Sequence, residues 1–289
     1  MIGDGIARVT VEDGRYEVTW DPEKLPERLD SLAEDGSRQT ESGDLADLFD
    51  GEEPVLTSVE LDGRWYVTIL GTVAHYVYED AEREAGLDGV ELEEPDYDAV
   101  ADDVEPVVGE DPEEVVANLV EAVNSGDLDQ LLANFPEDLG RPLRPYVPVL
   151  EDVLEDEGFG EEVDLEVAAE DLELTTEDLD DGRVKVVVEG GRFSAEATDE
   201  YGGSSGSLTV DGDCVTVEED GHDGDTGCLS ESGVADELGV DEIFFVLSQA
   251  DGGYQLDPAA TAIEYGAVVV DNLTGALFDE LVGELEDEV

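Results

Sequence analysis

The stretch Asp111-Pro112-Glu113-Glu114-Val115-Val116-Ala117-Asn118-Leu119-Val120-Glu121-Ala122-Val123-Asn124-Ser125-Gly126-Asp127-Leu128 carries a helix together with its own start and stop signals. Asp111 suits the N-cap, Pro112 the first helical position, and Glu114 the place from which a carboxylate completes a capping box. Val115, Val116, Leu119, Val120 and Val123 fall on one face at helical spacing. Ser125-Gly126 stops this helix, and Asp127 caps a second one through Leu128, Leu131, Leu132 and Phe135, which Pro136 ends. A third piece, Arg144–Leu154, is apolar at Tyr146, Val147, Leu150, Val153 and Leu154.

Downstream the pattern changes to strands: Val163–Ala169, Leu172–Thr176, Arg183–Glu189, Arg192–Thr198, Ser207–Val210 and Cys214–Val217, with a turn expected at Gly190-Gly191. A last pair, Ile243–Gln249 and Tyr254–Leu256, turns at Asp251-Gly252, and Asp257-Pro258 opens a closing helix. Upstream, Ile6–Trp20 alternates around Asp13-Gly14, a strong hairpin signal. Asp21-Pro22 opens a short helical piece reaching Leu32, and Glu34–Glu53 reads as polar loop. A second hairpin, Val55–Leu61 with Arg64–Ile69, leads into a helix over Gly71–Ala85 that Gly86 is expected to stop. Leu87–Glu110 is acidic and without periodicity, the signature of an extended connector.

The closing strand pair repeats the second hairpin. At a constant offset of 189, Asp62-Gly63 lies over Asp251-Gly252, Trp65 over Tyr254, Thr72 over Thr261 and Tyr76 over Tyr265. The expected fold class is therefore α+β, with two related domains in series and short helices packed on a curved antiparallel sheet. Residues 1–86 form a domain lacking its opening helices, 87–110 an acidic linker, and 111–289 the complete domain; a truncated start would explain the loss.

Helices joined by Asn124-Ser125-Gly126-Asp127-Leu128, followed by a curved antiparallel sheet, resemble the nuclear transport factor 2-like (SnoaL-like, cone-shaped α+β) superfamily over Asp111 to about Leu256, and again over Ile6–Ile69. A cystatin-like or unrelated α+β fold is the alternative. The resemblance implies a domain of the kind found on secreted and membrane-anchored proteins of high-GC Gram-positive bacteria. Enzymatic members keep an acid/base carboxylate or His inside the cone, and fold alone does not decide between the two.

Charge bounds the environment. Eighty-two acids face ten Arg and two Lys, Lys24 and Lys185, for a formal charge of -70 on 289 residues. A compact chain of this size exposes on the order of 12,000 Å², which puts uncompensated charges roughly 13 Å apart. The Debye length is about 8 Å at physiological salt and about 3 Å at molar salt, so repulsion fades only in the second. The composition fits a halophilic, high-GC organism, a merely acidic mesophile being the bland alternative. Nucleic acid is excluded as a direct partner, because no basic stripe offsets phosphate charge; an anionic membrane surface is excluded likewise. No run of 18 apolar residues occurs, Ala259–Phe278 being interrupted by Glu264 and Asp271, so direct membrane insertion is not expected. Disorder is countered by 40% hydrophobic residues and by the periodic segments above.

The two cysteines, Cys214 and Cys228, flank a polar loop and read as a structural disulfide closing it, with two free thiols or a metal pair as alternatives. A disulfide implies an extracytoplasmic site. Met1–Gly14 has no signal-peptide pattern, so the expectation is a secreted protein or ectodomain whose signal or anchor is missing from this chain.

No catalytic, cofactor-binding or metal-ligating residue is singled out. His75 and His222 are the only imidazoles; His75 is expected on the surface or boundary of its helix and His222 in a solvated acidic loop, Glu218–Asp225, that does not match an EF-hand. Asp138, Glu151 and Asp152 stand near the helical mouth without a reason to prefer one, and Ser204-Ser205-Gly206-Ser207 lacks a nucleophile elbow. Trp65, Tyr66, Tyr76, Tyr78, Phe244, Phe245, Tyr254 and Tyr265 are expected in the core, with Tyr146 and Tyr201 as candidates for a cone mouth. The reading is a non-enzymatic binding or assembly module with no cofactor and an unknown protein or small-molecule partner. The alternatives are a small-molecule acid/base enzyme using the cone of the second domain, or divalent-cation binding on acidic loops.

Overall fold

A computed structural model describes residues 2–3, 5–11, 14–21, 38–44, 54–61, 63–88, 92–101, 104–156, 164–179, 182–199, 202–219, 222 and 224–274. The chain is α+β with antiparallel sheets, and its contacts divide it into two compact units. One comprises Met1–Val9, Leu56–Cys228 and Glu242–Ala262; the other comprises Thr10–Val55, Leu229–Asp241 and Ile263–Val289.

In the first unit, β1 (Ile6–Thr10), β4 (Val55–Leu61) and β5 (Arg64–Thr68) form a sheet in the order β1-β4-β5. Ile6, Val59 and Val100 are fully buried together. The second unit holds the two-stranded sheet of β2 (Arg15–Trp20) and β3 (Gln39–Asp44), whose register runs from Arg15↔Asp44 to Trp20↔Gln39. The hairpin expected around Asp13-Gly14 therefore does not form: its two arms pair elsewhere, because burying Ile6 against Val59 and Val100 outweighs a local turn preference. Strand β3 lies where a polar loop was expected; it contains no large apolar residue to betray it. Asp13 and the helical piece expected over Pro22–Leu32 lie outside the described residues.

The second hairpin and its helix are built as read, with two adjustments. Helix α1 (Ile69–Asp88) starts directly off β5, because the Thr68 hydroxyl accepts the Gly71 N–H at 3.1 Å as an N-cap would, and it runs through Gly86 rather than stopping there. Gly71 is needed for the close approach, since a Cβ would lie 2.7 Å from Thr68 Cγ2 and 3.1 Å from Pro142 Cβ. Within the acidic stretch Leu87–Glu110, Val100 is buried, Val107 donates its N–H to Ala133 O at 2.9 Å, and Asp96 donates to Pro145 O at 2.8 Å.

Helix α2 (Pro112–Ser125) has the caps read from its sequence. Asp111 accepts the Glu114 N–H at 2.9 Å, and Gly126 closes the helix at φ 67. Glu114 reaches back one residue further than a standard capping box, to the Glu110 N–H at 2.6 Å. Asp127 caps α3 (Leu128–Ala133) through the Gln130 N–H at 2.9 Å. After the single turn α4 (Glu137–Gly140), α5 (Val147–Asp156) completes the helices of this region.

The sheet that follows has the path β10-β9-β8-β7-β11-β12, with β6 on β7. Its members are β6 (Asp164–Asp178), β7 (Val184–Asp199), β8 (Gly202–Asp211), β9 (Cys214–Glu219), β10 (Asp225–Cys228), β11 (Phe244–Ala250) and β12 (Gly253–Leu256). Two pairs of expected strands merge into the single long strands β6 and β7. Gly190-Gly191 is not a turn but an irregularity in their pairing, opposite Asp171 at φ 52, where the register shifts between Glu170 and Leu174. Glycine suits position 191, whose φ of 150 is one that L side chains rarely adopt. Val115 of α2 packs on Val184, Val186 and Leu247, flanked by Leu174, Phe245, Tyr254 and Leu256.

The sequence likeness at offset 189 has a structural counterpart. In β4–β5 the register pairs Ser58↔Val67, Val59↔Tyr66, Glu60↔Trp65 and Leu61↔Arg64; in β11–β12 it pairs Leu247↔Leu256, Ser248↔Gln255, Gln249↔Tyr254 and Ala250↔Gly253. The Thr72 hydroxyl accepts the Thr57 N–H at 3.0 Å and donates to Thr68 O at 2.7 Å. In α6 (Pro258–Asn272) the Thr261 hydroxyl accepts the Val246 N–H at 2.8 Å and donates to Asp257 O at 2.8 Å. Asp257 accepts the Ala260 N–H at 2.8 Å just as Thr68 accepts that of Gly71. Each pair of bonds is offset by 189 residues.

One threonine thus ties each hairpin to the helix that follows it. Thr72→Val and Thr261→Val keep the shape but leave the Thr57 or Val246 N–H without its acceptor. Each is expected to lower the unfolding free energy by about 1–3 kcal/mol in urea titration, with the serine variants close to wild type.

Candidate functional site

Two arrangements in the first unit bring chemistry-bearing side chains together. One is a trough on the sheet, about 440 Å³ in volume. Cross-strand partners share a sheet face, and the trough consists of two neighbouring rows: Glu166↔Glu196↔Ser205 across β6, β7 and β8, and Ala168↔Ser194↔Ser207↔Glu218 reaching β9. The trough exists because Ala168, Ser194, Ser205, Gly206 and Ser207 are too small to fill it. Arg192 is its cation, 3.1 Å from Glu218 and donating to Ser207 Oγ at 2.7 Å, while that hydroxyl donates to Glu218 Oε2 at 3.2 Å. Glu166 and Glu196 stand directly opposite each other, a like-charge pair that costs stability.

The disulfide supports this surface. Cys214 and Cys228 are bonded and sit directly opposite in the β9–β10 register, so the loop between them closes a hairpin whose strand β9 carries Glu218. By the loop-entropy relation, a loop of this length contributes about 3 kcal/mol.

The second arrangement is a buried polar cluster. Positions 71, 74, 75 and 78 of α1 face inward at helical spacing; Tyr78, with Ala74 beside it, is buried with Tyr146 and Val149, and His75 is buried one turn away on the same face. Tyr78 and Tyr146 ring centroids are 6.2 Å apart, and Tyr97 meets Tyr146 edge-on at 6.4 Å. The Arg8 guanidinium lies over the Tyr97 ring, 4.9 Å from its centroid, and donates to the Tyr97 hydroxyl. His75 is 1% exposed, not on the helix surface as expected; its Nε2 is 3.4 Å from Glu79 Oε1. The His75 Nδ1, Tyr146 Oη and Arg8 Nε are buried without a hydrogen-bond partner. Burial, helped by the Arg8 charge, lowers the His75 pKa against a smaller opposing pull from Glu79. Burial also pushes the Tyr146 hydroxyl up to about 12.

The remaining candidates are dispersed. Asp138 has its carboxyl pKa raised by desolvation and by the nearby charges of Asp257 and Glu137, while Glu151 and Asp152 join neither arrangement. His222 is exposed, its Nδ1 placed to donate to Glu219 O over 3.3 Å, and no group of three or more His, Cys, Asp and Glu among the described residues could hold a metal ion. Trp65 and Tyr66 are 44% and 47% exposed rather than in the core; Tyr201 lies outside the described residues. Sequence reasoning missed the Glu166, Arg192 and Glu196 rows, although the run of small residues Gly202–Ser207 is the signal that a strand there leaves space. It missed the burial of His75, which Gly71, Ala74 and Tyr78 foreshadow as one helix face.

No protein-family model matches the chain, and no curated protein or solved structure matches it.

The lowered His75 pKa has a sign that can be read in stability. The folded state holds the neutral imidazole, whereas the unfolded chain takes up a proton near the ordinary value of 6.5. The contribution is fully present above that pH and is lost as pH falls from 6.5 toward the lower folded value. His75→Leu is expected to flatten the decline of unfolding free energy with falling pH across this window, measured against wild type at matched ionic strength.

Proposed function

We propose that this chain is a non-enzymatic binding or assembly module working outside the cytoplasm of an organism living in high salt. In this reading the two hairpin–helix pieces are sister copies of one ancestral unit. The portion from Asp111 onward is a nuclear transport factor 2-like domain, and the front piece is a relative without the opening helices.

The observation that carries the reading is the packing between α2 and the sheet. Val115, Val184, Val186 and Leu247 meet Leu174, Phe245, Tyr254 and Leu256 between α2 and the sheet, and on the proposed family reading this filled space is the one in which an enzymatic relative would need its acid/base group. The surface left for recognition is the trough, whose serines and carboxylates suit hydrogen bonding to a polar ligand rather than bond cleavage. The order of helices followed by an antiparallel sheet supports the family reading, and the shared threonine bonds at offset 189 support duplication. The disulfide supports an oxidising compartment.

Thiol trapping in intact producing cells tests the compartment on which this depends. The protein is expected in the surface or secreted fraction, cleaved by external protease and unmodified by a maleimide reagent until reduced. Recovery from the cytoplasm with both cysteines alkylated without reduction would contradict it.

A further inference from the structure

The two hairpin–helix units are alike in bonding but unlike in cover. The edge of β12 is taken by Gly109, whose N–H donates to Tyr254 O at 3.0 Å and whose carbonyl accepts the Tyr254 N–H at 2.9 Å. The faces of β12 are covered as well: Tyr254 and Leu256 pack with Val115, and Gln255, 5% exposed, donates to Ala133 O at 2.9 Å and Phe135 O at 3.1 Å. At the matched positions of β5, Trp65, Tyr66 and Val67 are 44%, 47% and 59% exposed, and among the described residues β5 pairs only with β4. The exposed surface continues along α1 at Ile69 (78%), Val73 (51%) and Val77 (62%).

The same kind of cover cannot sit on β5. Gly109 approaches β12 so closely that a Cβ on Gly253 would lie 2.2 Å from Gly109 O, and the residue matching Gly253 is Arg64. A crossing as close as that of Gly109 is not open to β5, where Arg64 stands in the place of Gly253, so a strand on this edge must keep ordinary sheet spacing.

We propose that β5 and the outer face of α1 form a homodimer interface, with β5 of one copy pairing antiparallel to β5 of a second copy about a two-fold axis. Three observations support this occupant. Gly63–Tyr78 is the longest run in the chain without an Asp or Glu, sixteen residues among 82 acids, so two chains of charge -70 meet there with the least repulsion. An unpaired edge strand offers its peptide groups to another strand, and a two-fold axis lets each copy satisfy the other. Trp65 and Val67 on one face of β5 and Tyr66 on the other flank this edge, and Ile69, Val73 and Val77 extend the exposed apolar surface along α1, so joining two such edges buries apolar area from both copies.

Sedimentation equilibrium of the full chain over a concentration series in molar NaCl tests this. Wild type is expected at twice the chain mass, the Ile69→Glu/Val73→Glu/Val77→Glu variant at a single chain mass, and an Ile263→Glu control, altered at an apolar residue 64% exposed, at twice the mass. Circular dichroism shows that the variants keep their folded spectrum. The proposal is overturned by a wild type of single mass throughout, by a triple variant that still doubles, or by a control that dissociates equally. A wild type of single mass would leave the face to a different polypeptide.

Discussion

Self-repulsion among 82 acidic side chains is the constraint around which this structure is arranged. Ionised carboxylates resist burial, so packing falls to the segments that lack them. The two longest acid-free runs, Gly63–Tyr78 and Leu139–Leu150, supply all of the cluster in which Tyr78, Tyr146 and Val149 are buried with Ala74 beside them. The main sheet follows the same division: Val184, Val186 and Leu247 come from short acid-free stretches of β7 and β11, while the carboxylates on β6 and β9 line the open trough. Of the ten arginines, Arg8 lies over the Tyr97 ring and Arg144 is 7% exposed, so the interior holds some of the chain's scarce cations.

Within that constraint the chain uses one piece of local engineering twice. The last residue of a strand, or the one just after it, caps the next helix with its side chain, and a threonine four positions later ties the helix back to the neighbouring strand. Thr68 with Thr72, and Asp257 with Thr261, are the two instances. Because the bonds are local, the unit keeps its form whether its outer strand is covered, as at β12, or exposed at Trp65, Tyr66 and Val67, as at β5 among the described residues.

How far the sequence disclosed this varies with the range of the interaction. The caps at Asp111, Gly126 and Asp127 were legible because each acts within four residues. So were the β4–β5 and β11–β12 hairpins and the likeness between them, which Thr72 and Thr261 mark directly. The Asp13-Gly14 signal misled because Ile6 finds its partners, Val59 and Val100, far along the chain. Gly190-Gly191 misled because the same glycine pair serves a turn or a break in register, and only pairing with β6 decides which. Of the candidate sites, the Cys214–Cys228 bond was readable from spacing, whereas the rows joining Glu166, Glu196 and Glu218 depend on a register that no local pattern specifies.

If repulsion is the governing constraint, stability must follow the ion atmosphere. The direct measurement is the urea-unfolding free energy of the whole chain as NaCl is raised from dilute buffer to molar concentration, where the Debye length shrinks to about 3 Å. The account predicts a large rise that levels off at high salt, reproduced by KCl at equal ionic strength and not by sucrose. A free energy that stays flat from near-ion-free buffer to molar salt would contradict it.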